Sequence, residues 1–305
     1  MFNLIHTTNM KQTKHILLIA ALLLGTLMAS AYDFEVGGIY YNITSPTDLT
    51  VAVTYSGGSY DSVSDEYCGA VAIPSTVTYN NNTYSVTSIG MYAFCSCRNL
   101  TSITLPASVT SIEEEAFSYC SSLTSIIVAD GNPIFDSRDG CNAIIGTKSN
   151  TLIVGCASTI IPEGVTCIGS GAFAYCSNLT SITIPESSPL MSIGNAAFYW
   201  CQSLTSITIP VSVTSIGSAA FGGCSSLTAV YCYAEEVPTT YTDAFNGSYP
   251  KYATLHVPAS ALEAYKTTAP WNSFGTIVAL TEEEMSVDKL LLKNNMRFTI
   301  SMAAA

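Results

Sequence analysis

The sequence predicts an α/β solenoid. Coils of about 23 residues each contribute short strands and a single helical turn, between a β-rich N-terminal cap and a short helical C-terminal cap. Three observations carry this. The stretch from Val86 to Pro106 recurs, slightly altered, from Val109, Val165, Leu190 and Val213. Its phenylalanines, Phe94, Phe117, Phe173, Phe198 and Phe221, are spaced by 23, 56, 25 and 23 residues. Within a copy, apolar groups fall at fixed offsets, as at Leu100, Ile103 and Leu105. Such a period marks a stacked array.

Each part of the coil has a physical reason. Leu100-x-x-Ile103-x-Leu105 follows the strand pattern of leucine-rich repeats. Alternate side chains of an extended chain face opposite ways, so Ile103 and Leu105 point inward while Thr104 points out. Pro106 cannot donate to a ladder and ends the strand. Val109-Thr-Ser-Ile112 returns two further apolar groups to the interior. Ala116-Phe117-x-x-Cys120 reads as one helical turn that sets Phe and Cys on one face. A lone coil buries too little apolar surface to offset the entropy of ordering it. Coils must therefore stack, with caps at both ends and the five phenylalanines in one unbroken row.

In chain order, residues 1–31 read as a secretory signal peptide. Lys11 and Lys14 follow Met10, Ile16 to Leu27 is apolar, and Ala29-Ser-Ala31 offers a cleavage site. The apolar run is shorter than the ~20 residues that span a bilayer, and no transmembrane segment is expected in the mature chain. Residues 32–85 read as the β-strand N-terminal cap, with strands in Gly38–Ile43, Leu49–Tyr55, Ala70–Ile73 and Val77–Tyr79. The repeat solenoid is placed at 86–258. Within it, 129–164 forms an expanded coil (or two atypical ones) with a hairpin on the edge, either a functional insertion or a tolerated loop. Residues 259–280 read as the C-terminal cap. Here Ser260 and Glu263 form a capping box, a helix covers Ala261–Lys266, and Trp271 and Phe274 close the core. Residues 281–305 match nothing upstream and read as a tail.

The chain is 48% hydrophobic and 10% charged, with net charge −12. Loss of 1–31 would remove two lysines and no acid. This balance argues against a nucleic-acid partner, which needs a basic footprint. Catalytic material is scarce. His256 is the only histidine after residue 31, mid-strand and beside no evident nucleophile. Paired carboxylates stay open as an option. Asp130, Asp136 and Asp139 do not match a calcium loop. Cys97, Cys120, Cys176, Cys201 and Cys224 share one coil position and read as a column of small buried hydrophobes. Cys68, Cys95, Cys141, Cys156, Cys167 and Cys232 are irregular, and one or two disulfides stay open after export. No catalytic residue, metal or cofactor is expected.

Binding is the stronger expectation. Thr101, Thr104, Thr124, Thr180, Thr183, Thr205 and Thr208 should line one sheet as a hydroxyl ladder. Tyr119, Tyr175 and Trp200 each precede a column cysteine and should form an aromatic stripe. Solenoids present such extended surfaces to partners.

Leu179–Pro185, Val213–Gly217, Ala220–Cys224, the lead-in Tyr79–Gly90 and the ending Val257–Lys266 together resemble the BspA-type family of leucine-rich repeat proteins. The likeness covers about 70–275 of the chain. The resemblance implies a secreted or cell-surface bacterial protein without catalytic activity. Its partners would be extracellular host matrix or cell-surface proteins, and its role adhesion. The alternative is a carbohydrate-binding or scaffold module of an exported assembly, with a glycan as partner.

Overall fold

The computed structural model describes residues 32–57, 66–184 and 188–284. The expected signal peptide (1–31) and residues 285–305 of the expected tail lie outside these. No described helix is long and apolar enough to cross a membrane.

Alternating apolar positions open the fold as an antiparallel meander of β1 (Phe34–Val36), β2 (Ile39–Ser45) and β3 (Thr50–Thr54). After β4 (Gly69–Ala72), strands β5 (Thr76–Tyr79) and β6 (Asn82–Ile89) make a hairpin. Its turn residues Asn80 and Asn81 are left-handed, with φ of 50° and 63°, a conformation asparagine tolerates better than most residues. β6 also lies parallel to β3, so the meander runs directly into the first coil.

The chain is a β-solenoid of about 8 turns. Its principal strands stack in parallel as two sheets. The first holds β4, β7 (Leu100–Leu105) and β9 (Ser125–Val128). The second holds β14 (Ser181–Ile182), β16 (Ser206–Ile209), β18 (Ala229–Cys232), β20 (Thr254–Val257) and β21 (Thr276–Ala279). The Val-Thr-Ser-Ile segments form the other wall. β8 (Ser111–Ile112) pairs with β6. Beyond the expanded coil, β13 (Cys167–Ile168), β15 (Ser192–Ile193), β17 (Ser215–Ile216) and β19 (Thr239–Thr240) form a second parallel ladder.

The arc joining the two walls is tighter than the helical turn read from sequence. Tight-turn bonds such as Ala93 N–H to Gly90 O, Cys95 N–H to Tyr92 O and Cys97 N–H to Phe94 O alternate with bonds to the next coil. Phe94, Phe173, Phe198 and Phe221 donate their N–H to Ala116, Ala197, Ala220 and Ala244 O at 2.8, 2.7, 2.7 and 2.8 Å. Left-handed residues within each arc, such as Glu115 (φ 54°) and Tyr119 (φ 63°), break any helical repeat.

The phenylalanine row is broken, against the single continuous spine expected. Phe94 stacks on Phe117 at 5.1 Å. Phe173, Phe198, Phe221 and Phe245 stack at 5.0, 5.3 and 5.3 Å. The two groups belong to separate apolar clusters. The cause lies in 129–164. Here β10 (Phe135–Asp136), β11 (Ile144–Gly146) and β12 (Thr151–Val154) form an antiparallel hairpin unit, and β12 pairs with β13. No strand of this coil joins the principal sheets. Directly after β12, Gly155 N–H donates to Ala172 O at 2.8 Å, the bond a phenylalanine makes in the regular coils. The coil therefore offers a glycine where others offer a ring, and it omits the arc that would follow.

Aromatic groups cover the ends of the stacks. Tyr67 sits 4.7 Å from Phe94, and Trp271 and Phe274 lie 5.4 and 5.1 Å from Phe245. The expected capping box is absent. Helix α1 (Leu262–Thr267) starts after Ala261 without a side-chain cap, and Glu263 instead binds Lys266 at 2.8 Å. Ala261 N–H already bonds Pro258 O, which sets the helix start beyond the reach of Ser260.

Candidate functional site

The position before each column cysteine, and before Ser248 in the last arc, demands a left-handed backbone. Ser96, Tyr119, Tyr175, Trp200, Gly223 and Gly247 have φ of 60°, 63°, 61°, 58°, 73° and 76°. Glycine adopts this freely, whereas a bulky residue pays about 1 kcal/mol or more. Three successive regular arcs nevertheless carry Tyr, Tyr and Trp. Tyr119 is 37% and Trp200 44% exposed, so core burial does not explain their size. Trp200 lies over Gly223, where a Cβ would come within 2.9 Å of the indole.

The structure brings Tyr119 and Tyr175 into a stack at 3.7 Å across the interruption. Tyr199, which the spacing argument missed, links them to Trp200 with edge contacts of 5.5 and 6.3 Å. Burial pushes the Tyr175 hydroxyl well up, helped by Tyr119 and the charge of Glu115.

Where the arc is omitted, a wedge-shaped cleft of about 560 Å³ opens between the arcs at 113–120 and 170–176. Ile153, Val154 and Leu123 line it, with Glu113, Glu114 and Glu115 on one side and Tyr175 and Tyr199 on the other. Its volume falls in the range of ligand-holding clefts. The sequence signal that could have found it is the run of three glutamates, which stands where four other arcs open with glycine, at Gly90, Gly169, Gly194 and Gly217.

The threonines divide between the two principal sheets: Thr101, Thr104 and Thr124 on or beside the first, Thr180, Thr183, Thr205 and Thr208 on or beside the second. The one-sheet hydroxyl ladder is thus replaced by two shorter ones, and exposed Ile127 interrupts the first. The hydroxyls of Thr124 and Thr205 donate back to Thr101 O and Thr180 O at 3.3 and 3.2 Å. That bond ties coils together and leaves less of each hydroxyl for a partner.

No disulfide joins any of the eleven cysteines, and Cys68 alone among them is exposed. Cys120, Cys201 and Cys224 donate their thiols to Phe94, Phe173 and Phe198 O at 3.0, 3.1 and 3.1 Å. Ser248 makes the same bond to Phe221 O, so the column is a hydrogen-bonded rung as well as apolar filling. Burial pushes Cys176 and Cys224 up to about 12, far from the thiolate that chemistry needs. His256 Nδ1 lies 2.9 Å from Glu284 Oε1, with its ring against Tyr231. Asp136 is held by Arg138 at 2.7 Å, while Asp130 and Asp139 are exposed turn residues.

A model of the BspA type leucine rich repeat region matches six copies, over residues 73–138 and 146–268. The chain belongs to the BspA-type leucine-rich repeat family. As a BspA-type chain it is a bacterial leucine-rich repeat protein. A leucine-rich repeat protein from Eubacterium ventriosum is similar at 23% identity and TM-score 0.48, over 70% of this chain and 54% of that one. The chain thus spans about half the length of that relative. One from Bacteroides ovatus is similar at 25% identity and TM-score 0.34, over 82% and 77%. A leucine rich cell surface protein from Faecalibacterium prausnitzii is similar at 18% identity and TM-score 0.37, over 83% and 96%. No curated protein matches the chain.

Proposed function

We propose that this BspA-type protein is exported and adheres to an extracellular host protein, matrix or cell-surface, through the aromatic run Tyr119–Tyr175–Tyr199–Trp200. The observation that carries this is the placement of large aromatics at a backbone position that favours glycine, half-exposed on a rigid stack. Strain kept at exposed positions points to use, and Tyr and Trp are the residues most often found at the energetic centre of interfaces. The repeat family's protein-binding character agrees with it. The principal-sheet threonines would act as a flanking polar surface.

The test is binding of the purified protein to parallel arrays of matrix proteins and of glycans. The reading expects matrix-protein binding that weakens by about thirtyfold in Trp200→Ala, the scale of an interface anchor. Glycan binding alone would replace the partner class with a carbohydrate. Matrix binding unchanged by Trp200→Ala would remove the aromatic run from the account.

A further inference from the structure

The cleft at the omitted arc carries hydrogen-bonding groups that the stack uses up elsewhere. In regular arcs, the N–H of the phenylalanine and of the residue before the cysteine bond the next coil, as with Phe173 to Ala197 O and Tyr175 to Tyr199 O at 2.7 Å each. The N–H groups of Phe117 and Tyr119 find no such acceptor among the described residues. On the facing arc, Ala172 O is taken by Gly155, while Ser170 O and Ala174 O receive no backbone donor among those residues. Main-chain donors and acceptors without a partner in the fold must be met by water or by a ligand. An extended peptide supplies both donor and acceptor.

The charge at the mouth narrows the occupant further. Glu113 is committed, its Oε2 accepting Met91 N–H at 2.9 Å. Glu114 and Glu115 are exposed and form no salt bridge among the described residues. Neither cation of the expanded coil lines the cleft: Arg138 is held by Asp136, and Lys148 is not among the lining residues. Beneath the glutamates the walls are apolar and aromatic, which suits a long side chain with a charged head. Its methylene stem covers apolar surface, and a cation over tyrosine gains electrostatic attraction.

We infer that this cleft binds an extended peptide of a protein partner, with an arginine or lysine entering between the two arcs and its charge held by Glu114 and Glu115. This rests on the reading of the protein as a protein-binding module. It is independent of Trp200, which does not line the cleft.

The probe is a set of fluorescein-labelled heptapeptide pools with a fixed central arginine, lysine, citrulline or norleucine. Binding to the purified protein is read by fluorescence polarisation at low and at physiological salt. Arginine and lysine pools should bind, and the two neutral pools should bind about tenfold or more weakly, with the difference shrinking as salt rises. Glu114→Gln/Glu115→Gln should weaken the arginine pool by about tenfold. Both side chains are exposed, so the fold is not at risk. Ser170→Trp, which fills the mouth, should abolish binding, and Tyr252→Ala, at an exposed ring that does not line the cleft, should leave it unchanged. Failure of all pools, equal binding of arginine and citrulline, or no loss in the double glutamine variant would overturn the proposal. Matrix-protein binding that needs Trp200 but ignores Glu114→Gln/Glu115→Gln would overturn the cleft assignment and leave the adhesive reading standing.

Discussion

Replacing Gly155 by alanine would put a methyl group 2.1, 2.4 and 2.8 Å from Cε1, Cζ and Cδ1 of Phe173. Packed carbons sit about 3.5–4.0 Å apart, so ring or coil must retreat by roughly 1.5 Å. Phe173 is almost wholly buried and stacked on Phe198 at 5.0 Å, which leaves the ring little room. Overpacking on this scale costs about 1–3 kcal/mol. A glycine without a left-handed backbone regains about 0.4–1 kcal/mol from the stiffer unfolded chain. The net expectation is a loss of about 1–2 kcal/mol. Phe173→Leu, whose side chain is shorter, should relieve the clash, so the double variant should be more stable than the sum of the single losses by at least about 1 kcal/mol. Urea unfolding followed by the fluorescence of Trp200 and Trp271 measures all four proteins. A Gly155→Ala change within about 0.5 kcal/mol of wild type, or strict additivity in the pair, would refute the placement of Gly155 against that ring.

Other perturbations separate parts of the account. Phe198→Ala, stacked on both faces, should cost about 3–5 kcal/mol. Phe117→Ala should cost at least about 1 kcal/mol less by the same assay, because it has one ring neighbour at 5.1 Å and borders the cleft. Thiol labelling at pH 8 should modify exposed Cys68 at once and spare the column cysteines until unfolding, since burial pushes Cys176 and Cys224 up to about 12; rapid labelling of the column contradicts this. Burial raises Asp136, but the bonds from Arg138 together outweigh it and hold the carboxyl below its usual range. Its contribution is therefore present above the unfolded carboxylate value of about 3.9 and lost as pH falls through the lower folded value. Asp136→Asn should cost no more than about 1 kcal/mol at pH 7, because the pair is partly solvated. The gap between the two proteins should close below pH 4 in urea titrations, and a gap that widens there runs against the pair.

The period made most of the fold readable, because each copy restates which positions face inward. The column of phenylalanines, the column of cysteines and the strand positions could all be read from spacing alone. The interruption could not, because a glycine aligned with a phenylalanine has no chemical likeness to it. Only the bond from Gly155 to Ala172 reveals that shared register. Phe and Cys three apart suit either a helical turn or two tight turns, and nothing in Tyr119 or Trp200 announces positive φ. Ser260 and Glu263 have the right spacing for a capping box, but the chain enters α1 one turn bond too late to use it. Of the candidate site, Tyr119, Tyr175 and Trp200 were visible as one column. Tyr199 was not, because it sits one residue outside that column. The glutamates at 113–115 depart from the glycine that opens four other arcs, but their meaning depends on the gap beside them.

Amide hydrogen exchange resolved by residue tests the missing rung most directly. The N–H groups of Phe94, Ser96, Phe173, Tyr175, Phe198 and Trp200 bond the next coil at 2.7–2.8 Å and should exchange slowly. Those of Phe117 and Tyr119 should exchange orders of magnitude faster, close to the rate of local opening. Equal protection at Phe117, Tyr119 and their counterparts would mean that the two arcs are zipped together, with no cleft between them.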